Sequence, residues 1–197
     1  MLIGREAPDF RAPACMPDDS FTDLSLSDYR GKKYVILYFY ALDFMFVEAS
    51  EIVAFSDRQP EFEKKDCQVL GVSVDSHYAH RTWRNMPKGN GGIEKVHHPL
   101  ISDLGKEISR AYDVLFEDTH NQVACRGVFL IDKNGVVQCE VRNNLALGRN
   151  IEEVLRCVDA LQHHESTGKV CPANWAVGRP DMTPTAEGVA EYMKQLV

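Results

Sequence analysis

Tyr34-Val35-Ile36-Leu37-Tyr38-Phe39-Tyr40-Ala41-Leu42-Asp43-Phe44-Met45-Phe46-Val47-Glu48-Ala49-Ser50-Glu51 decides how the rest of the chain is read. Its first half is apolar, β-branched and aromatic, the composition of a buried strand. After a short mixed segment, Glu51-Ile52-Val53-Ala54-Phe55 reads as the start of a helix. Ser50 is the expected N-cap and Glu51 an acid in the first turn. A strand that feeds a helix through a short connection gathers backbone N–H groups and the positive end of the helix dipole at the junction. Glu48 stands at that junction.

Working outward, Gly4 to Asp28 reads as short strands and turns, and Ser27 to Lys32 as a turn before the first core strand. The helix after Ser50 is expected to run to about Lys65, with a break or kink at Pro60. Val69 to Asp75 is a second buried strand and Ser76 to Asn85 a helix. Pro87 to Pro99 is a Gly- and Pro-rich loop, and Asp103 to Ala111 a short helix. Val128 to Asp132 is a third strand. Asn134-Gly135 then signals a hairpin into a partner strand, Val136 to Arg142. Ile151, Val154, Leu155, Val158 and Leu161 share one helical face. Beyond His163-His164 the composition shifts, and Lys169 to Val197 carries Pro172, Pro180 and Pro184 before a helix from Ala186 to Leu196. Strands alternating with helices, plus a hairpin, give an α/β class.

The chain has 197 residues, 44% of them hydrophobic, enough for one domain with a core plus a tail. A net charge of −7 argues against a nucleic-acid partner. No apolar run reaches membrane-spanning length. The first eight residues lack the apolar core of a signal peptide, which makes the cytoplasm the expected compartment. The six cysteines form no C-x-x-C pair and no cluster with zinc spacing. Cys67, Cys125, Cys139 and Cys157 lie in or beside apolar runs and are expected to be buried thiols. Cys15, between Pro13 and Pro17, is expected to be exposed. His97-His98 and His163-His164 read as solvated histidines rather than metal ligands, so no metal or cofactor is expected.

The opening stretch, Y-A-L-D-F-M-F-V-E-A-S-E, resembles the active-site segment of the typical two-cysteine peroxiredoxins, which reads Y-P-L-D-F-T-F-V-C-P-T-E. The resemblance extends over nearly the whole chain. It implies a thioredoxin-like fold, a central mixed sheet flanked by helices, with a domain over residues 1–165 and a C-terminal arm over 166–197. In that family a thiolate in the first turn of the helix attacks a peroxide and becomes a sulfenic acid, which a second cysteine resolves as a disulfide. On this alignment Glu48 occupies the peroxidatic cysteine position, Met45 that of the threonine that hydrogen-bonds the peroxide, and Ala41 that of the shielding proline. Ala124-Cys125-Arg126-Gly127-Val128-Phe129 places Arg126 as the pocket arginine, and Leu147-Gly148-Arg149-Asn150 places Arg149 as a second one. Glu51 matches the glutamate that follows the family's cysteine. Val170-Cys171-Pro172-Ala173-Asn174-Trp175 places Cys171 as the resolving cysteine. Glu94, and Tyr192-Met193, half-match two motifs that govern oxidation sensitivity in relatives.

A carboxylate has no sulfenate state and is a poor nucleophile toward an O–O bond. Glu48 is therefore expected to pair with Arg126 and supply the site's negative charge without its chemistry. Three readings stay open. The chain is a non-catalytic homologue that scaffolds or holds other proteins, as a homodimer joined through Val136 to Arg142 and as a ring of dimers. Alternatively it is a peroxidase working through Cys171 or Cys125, reduced by thioredoxin or a flavoprotein reductase. Last, the Glu48/Arg126 pocket takes a small ligand or does acid–base chemistry.

Overall fold

In the computed structural model, which describes residues 1–116 and 122–195, Tyr34–Phe39 is the strand β3 at the heart of one sheet, and every one of its side chains is buried. The preceding strands are β1 (Arg11–Cys15) and β2 (Phe21–Ser25). After β3 come the helices α1 (Phe46–Asp57) and α2 (Gln59–Lys64), strand β4 (Cys67–Ser73) and helix α3 (His77–Arg84). Then follow β5 (Leu100–Ser102), α4 (Glu107–Ala111), the two-residue strands β6 (Leu115–Phe116) and β7 (Val123–Ala124), β8 (Arg126–Ile131) and β9 (Val137–Asn143). The main sheet runs β2-β1-β5-β4-β3-β8-β9, and β6 pairs with β7 separately. β3 is parallel to β4 and antiparallel to β8, so the sheet is mixed, and helices flank it. Being covered on both faces, β3 reads as a continuous apolar run rather than an alternation.

The chain divides into two compact units, residues 1–151 and 152–197. The second holds the rest of helix α5 (Ile151–Thr167) and helix α6 (Ala186–Lys194). Within it an isolated bridge joins Val170 to Met182, closing the loop that carries Cys171. Leu196, the expected end of α6, lies outside the described residues. No helix among the described residues is long and apolar enough to cross a membrane.

Several local expectations are corrected. α1 begins at Phe46 with Met45 at the N-cap, so Ser50 caps nothing. It lies inside the helix, where its Oγ donates to the Val47 carbonyl at 2.6 Å. A cap oxygen would accept from a backbone N–H, whereas Ser50 donates back to a carbonyl in the preceding turn, as a serine inside a helix can. Glu48 thus sits inside the first turn, and Glu51 one turn further on. The helical stretch breaks at Arg58, and Pro60 occupies the first turn of α2, where its missing N–H costs nothing. Only Glu107–Ala111 of the expected Asp103 to Ala111 helix is helical; Asp103 accepts bonds from Ile108 N, Ser109 N and Ser109 Oγ ahead of it. Cys15 is fully buried, because β1 is an interior strand between β2 and β5. Conversely Cys139 and Cys157 are half-buried, Cys139 because β9 ends the sheet. His98 is fully buried rather than solvated.

The Asn134-Gly135 turn forms as expected. Gly135 takes φ +83°, and Asp132 anchors the turn by accepting from the Asn134 and Val136 amides. That sets β9 against β8, and β8 brings Arg126 beside the end of β3.

Candidate functional site

Glu48 is the third residue of α1 and is completely shielded from solvent. The helix has no side-chain cap, so the first-turn amides and the helix dipole favour an anion there. Arg126, at the start of β8 and equally buried, donates from Nη2 to Glu48 Oε1 at 3.0 Å and from Nη1 to Glu51 Oε2 at 2.6 Å. Its Nε donates to the Leu145 carbonyl at 2.8 Å, which holds the guanidinium plane. The expected pairing of Glu48 with Arg126 is therefore present.

Glu51 is the hub. One turn after Glu48 on the same helical face, it accepts from Arg149 Nε and Nη2, both at 2.8 Å, as well as from the Arg149 backbone amide at 2.6 Å. Burial alone would raise its carboxyl, but Arg149 and then Arg126 outweigh that and hold it below the ordinary carboxylate range. Arg149 Nη1 also donates to the carbonyls of Phe39 and Gly127, at 2.7 and 2.8 Å, tying α1 to the ends of β3 and β8. Its guanidinium carbon lies 5.3 Å from the centre of the Tyr38 ring. Two carboxylates and two guanidiniums thus form a neutral buried cluster. One atom is left over: Glu48 Oε2 is buried with no hydrogen-bond partner among the described residues.

Met45 is half-buried at the N-cap and presents a thioether, not a hydroxyl. Ala41 is buried in a small apolar cluster with Val74 and Val123. Cys171 belongs to the second unit. Its Sγ lies 3.5 Å from the Ala160 carbonyl, and partial burial holds the thiol above its usual pKa despite Arg156. Cys125 is buried beside Arg126, and burial raises its pKa as well. No group of three or more His, Cys, Asp or Glu side chains is arranged to hold a metal ion among the described residues.

Sequence reasoning passed over a second buried polar network just before α1. Asp43 Oδ2 pairs with His80 Nδ1 at 2.8 Å, the Tyr40 hydroxyl donates to Asp43 Oδ1 at 2.9 Å, and the Asp43 amide donates to Asp75 Oδ2 at 2.8 Å. An aspartate inside an otherwise apolar and aromatic run was the available signal, since such a group is buried only when paired.

A mixed sheet whose central strand delivers a helix N-terminus onto a buried arginine defines the thioredoxin-like fold in the form that peroxiredoxins carry. Residues 3–139 match the AhpC/TSA family and residues 160–195 the C-terminal domain of 1-Cys peroxiredoxin. The chain belongs to the AhpC/TSA family. The 2-Cys peroxiredoxin BAS1, chloroplastic, of Hordeum vulgare is 48% identical over 191 residues, which is 97% of this chain and 90% of that protein. Alkyl hydroperoxide reductase C of Helicobacter pylori strain J99 is 48% identical over 196 residues, 99% of this chain and 98% of that protein. The crystal structure of the reduced 2-Cys peroxiredoxin of Plasmodium vivax superposes with a TM-score of 0.96 at 48% identity, covering 98% of this chain and 99% of that one.

Proposed function

We propose that this chain is a peroxiredoxin homologue that has kept the family's scaffold and lost its peroxide-reducing step, and that it works by binding or holding other proteins. The observation that carries the reading is Glu48. It is buried in the first turn of α1 on the Arg126 guanidinium, at the position that the resemblance assigns to the peroxidatic cysteine. A thiolate there would attack a peroxide oxygen; a carboxylate satisfies the same helix terminus and the same arginine but has no sulfur to oxidise. Met45 and Ala41 remove the hydroxyl donor and the shield from the same pocket, so nucleophile, donor and shield are absent together. Glu51, Arg126 and Arg149 keep α1 wound and seated although no reaction follows.

The remaining thiols speak for the same reading. A peroxidase working through Cys171 or Cys125 needs a thiolate, and burial holds both thiols above their usual range. Assembly as a homodimer through β9, and as a ring of such dimers, is part of the proposal. β9 ends the sheet, and the outer edge of an end strand is a template for pairing.

The test is hydroperoxide consumption coupled to thioredoxin and its reductase, or to a flavoprotein reductase. The wild-type protein should show no turnover above a free-thiol control, and the triple variant Ala41→Pro, Met45→Thr, Glu48→Cys should gain it. Catalytic turnover by the wild type, abolished by Cys171→Ser, would establish the peroxidase instead. Sizing of the purified protein as a stable monomer would remove the scaffold.

A further inference from the structure

Beneath the Arg149 guanidinium lies a buried pair that the site does not use. Tyr38, the last residue but one of β3, has its hydroxyl 2.7 Å from His98 Nε2, and both residues are fully shielded from solvent. The phenol is seated by a stacked Phe55 ring, 4.4 Å between centres, and by Gly71, where an added Cβ would lie 2.6 Å from the hydroxyl oxygen. Burial first, and then the charges of Arg84 and His97, push the His98 imidazolium down to about pKa 3, so the ring is neutral at physiological pH. His98 Nδ1 is buried without a partner among the described residues, so either tautomer leaves that nitrogen unpaired. Were the neutral ring to donate from Nε2, the phenol hydrogen would lack an acceptor as well. With Tyr38 O–H donating to the lone pair of His98 Nε2, the Nδ1 N–H alone is left over, and this is the arrangement with fewer unpaired groups.

A phenol hydrogen-bonded to a neutral imidazole base is poised for one-electron oxidation. A phenol that has lost an electron is a far stronger acid than any imidazolium, so its proton passes to the nitrogen as the electron leaves. The proton transfer matters here because Arg149, 5.3 Å from the ring centre, opposes any cation left on Tyr38. Tyr112, buried to a similar degree, donates to the Pro8 carbonyl and so has no base to take its proton. A row of aromatic rings leads from Tyr38 outward. Tyr40 lies 6.1 Å away centre to centre, Trp83 6.5 Å beyond Tyr40, and Trp83 is 5.5 Å from the exposed ring of Phe44.

We propose that Tyr38 and His98 form a redox-active tyrosine site that quenches oxygen-centred radicals, independently of any cysteine. The oxidant is an alkoxyl radical, the product of one-electron cleavage of a hydroperoxide. It takes one electron, relayed from Tyr38 by way of Tyr40 and Trp83, and one proton from solvent to become the alcohol. At Tyr38 the O–H bond breaks, the electron leaves along the row and the proton forms an N–H bond at His98 Nε2, leaving a neutral phenoxyl beside an imidazolium. A one-electron reductant of the enediol class returns the electron, and His98 returns the proton. The proposal stands apart from the fate of Glu48, and peroxidase activity neither supports nor weakens it.

The experiment is freeze-quench electron paramagnetic resonance after mixing the full-length protein with hexachloroiridate(IV). The wild type should give a phenoxyl signal whose double-resonance spectrum contains one exchangeable proton coupling, from the imidazolium N–H, that disappears in deuterium oxide. The signal should be lost in Tyr38→Phe, fall to background in His98→Leu and persist in Tyr112→Phe, with circular dichroism confirming that each variant folds. A signal that survives Tyr38→Phe overturns the assignment. So does a wild-type phenoxyl without the exchangeable coupling, a reading that needs no variant, and so does the absence of any phenoxyl.

Discussion

Glu51 and Glu48 lie one turn apart on the same helix, and the structure predicts very different costs for removing their charges. Glu51 accepts bonds from Arg149 N, Nε and Nη2 and from Arg126 Nη1, all between 2.6 and 2.8 Å. In Glu51→Gln an amide replaces one of the carboxylate oxygens and turns N–H groups toward donors. Two buried guanidiniums are then left with the single charge of Glu48. Breaking a buried ion pair from one side costs about 3–5 kcal/mol, mostly from the orphaned charge. In a chain of this size that lowers Tm by about 2–4 °C per kcal/mol, so by about 6–20 °C. Glu48 accepts only from Arg126 Nη2, at 3.0 Å, and its other oxygen is already unpartnered. Glu48→Gln also leaves two guanidiniums with one carboxylate, but Glu51 still touches both of them, whereas Glu48 alone would touch only Arg126. The cost should therefore be about 1.5–3 kcal/mol, the worth of one charge-assisted bond. Urea unfolding at neutral pH, followed by circular dichroism, measures both. The Glu51 effect also has a pH signature. Its carboxyl is held below its unfolded value, so its contribution is complete above about pH 4.3 and is lost as the pH falls through the lower folded value. The gap between wild type and Glu51→Gln should accordingly narrow in acid. A Glu51→Gln penalty below 1 kcal/mol, or a larger one for Glu48→Gln, would refute the assignment of Glu51 as the hub.

Gly71→Ala should destabilise the protein by about 1–3 kcal/mol, because the new methyl would meet Tyr38 Oη at 2.6 Å and Leu100 Cδ2 at 2.9 Å in a packed core; an unchanged melting temperature would mean that β4 can shift there. Maleimide labelling at pH 7 with peptide mapping should modify Cys171 well before Cys15 and Cys67. Those two are buried with pKa values pushed up to about 11 and about 12, so that only about one Cys15 in ten thousand is a thiolate. Equal labelling of Cys67 and Cys171 would contradict the burial.

Much of the fold was legible because its signals are local. The apolar run of β3, the Asn134-Gly135 turn and the spacing of Ile151, Val154, Leu155 and Val158 each reveal an element within a dozen residues. The pairing of an acid in α1 with Arg126 was equally open to view. The errors came where local chemistry is ambiguous. A serine reads as a cap whether it precedes a helix or back-bonds within it, as Ser50 does. A cysteine between prolines reads as a loop residue, yet β1 is hydrogen-bonded on both sides and Cys15 is buried.

By itself, then, the chain's sequence determined the strand–helix unit, the family and the presence of a carboxylate, Glu48, at the start of α1, since all of these are written in neighbouring residues. Only the tertiary structure decided that Glu51 rather than Glu48 is the hub, that His98 is a dry partner of Tyr38, and which thiols are sealed. Those outcomes join residues 60 to 98 positions apart. They exist because β3 lies between β4 and β8 in the sheet, and no periodicity along the chain encodes which side chains that order brings into contact.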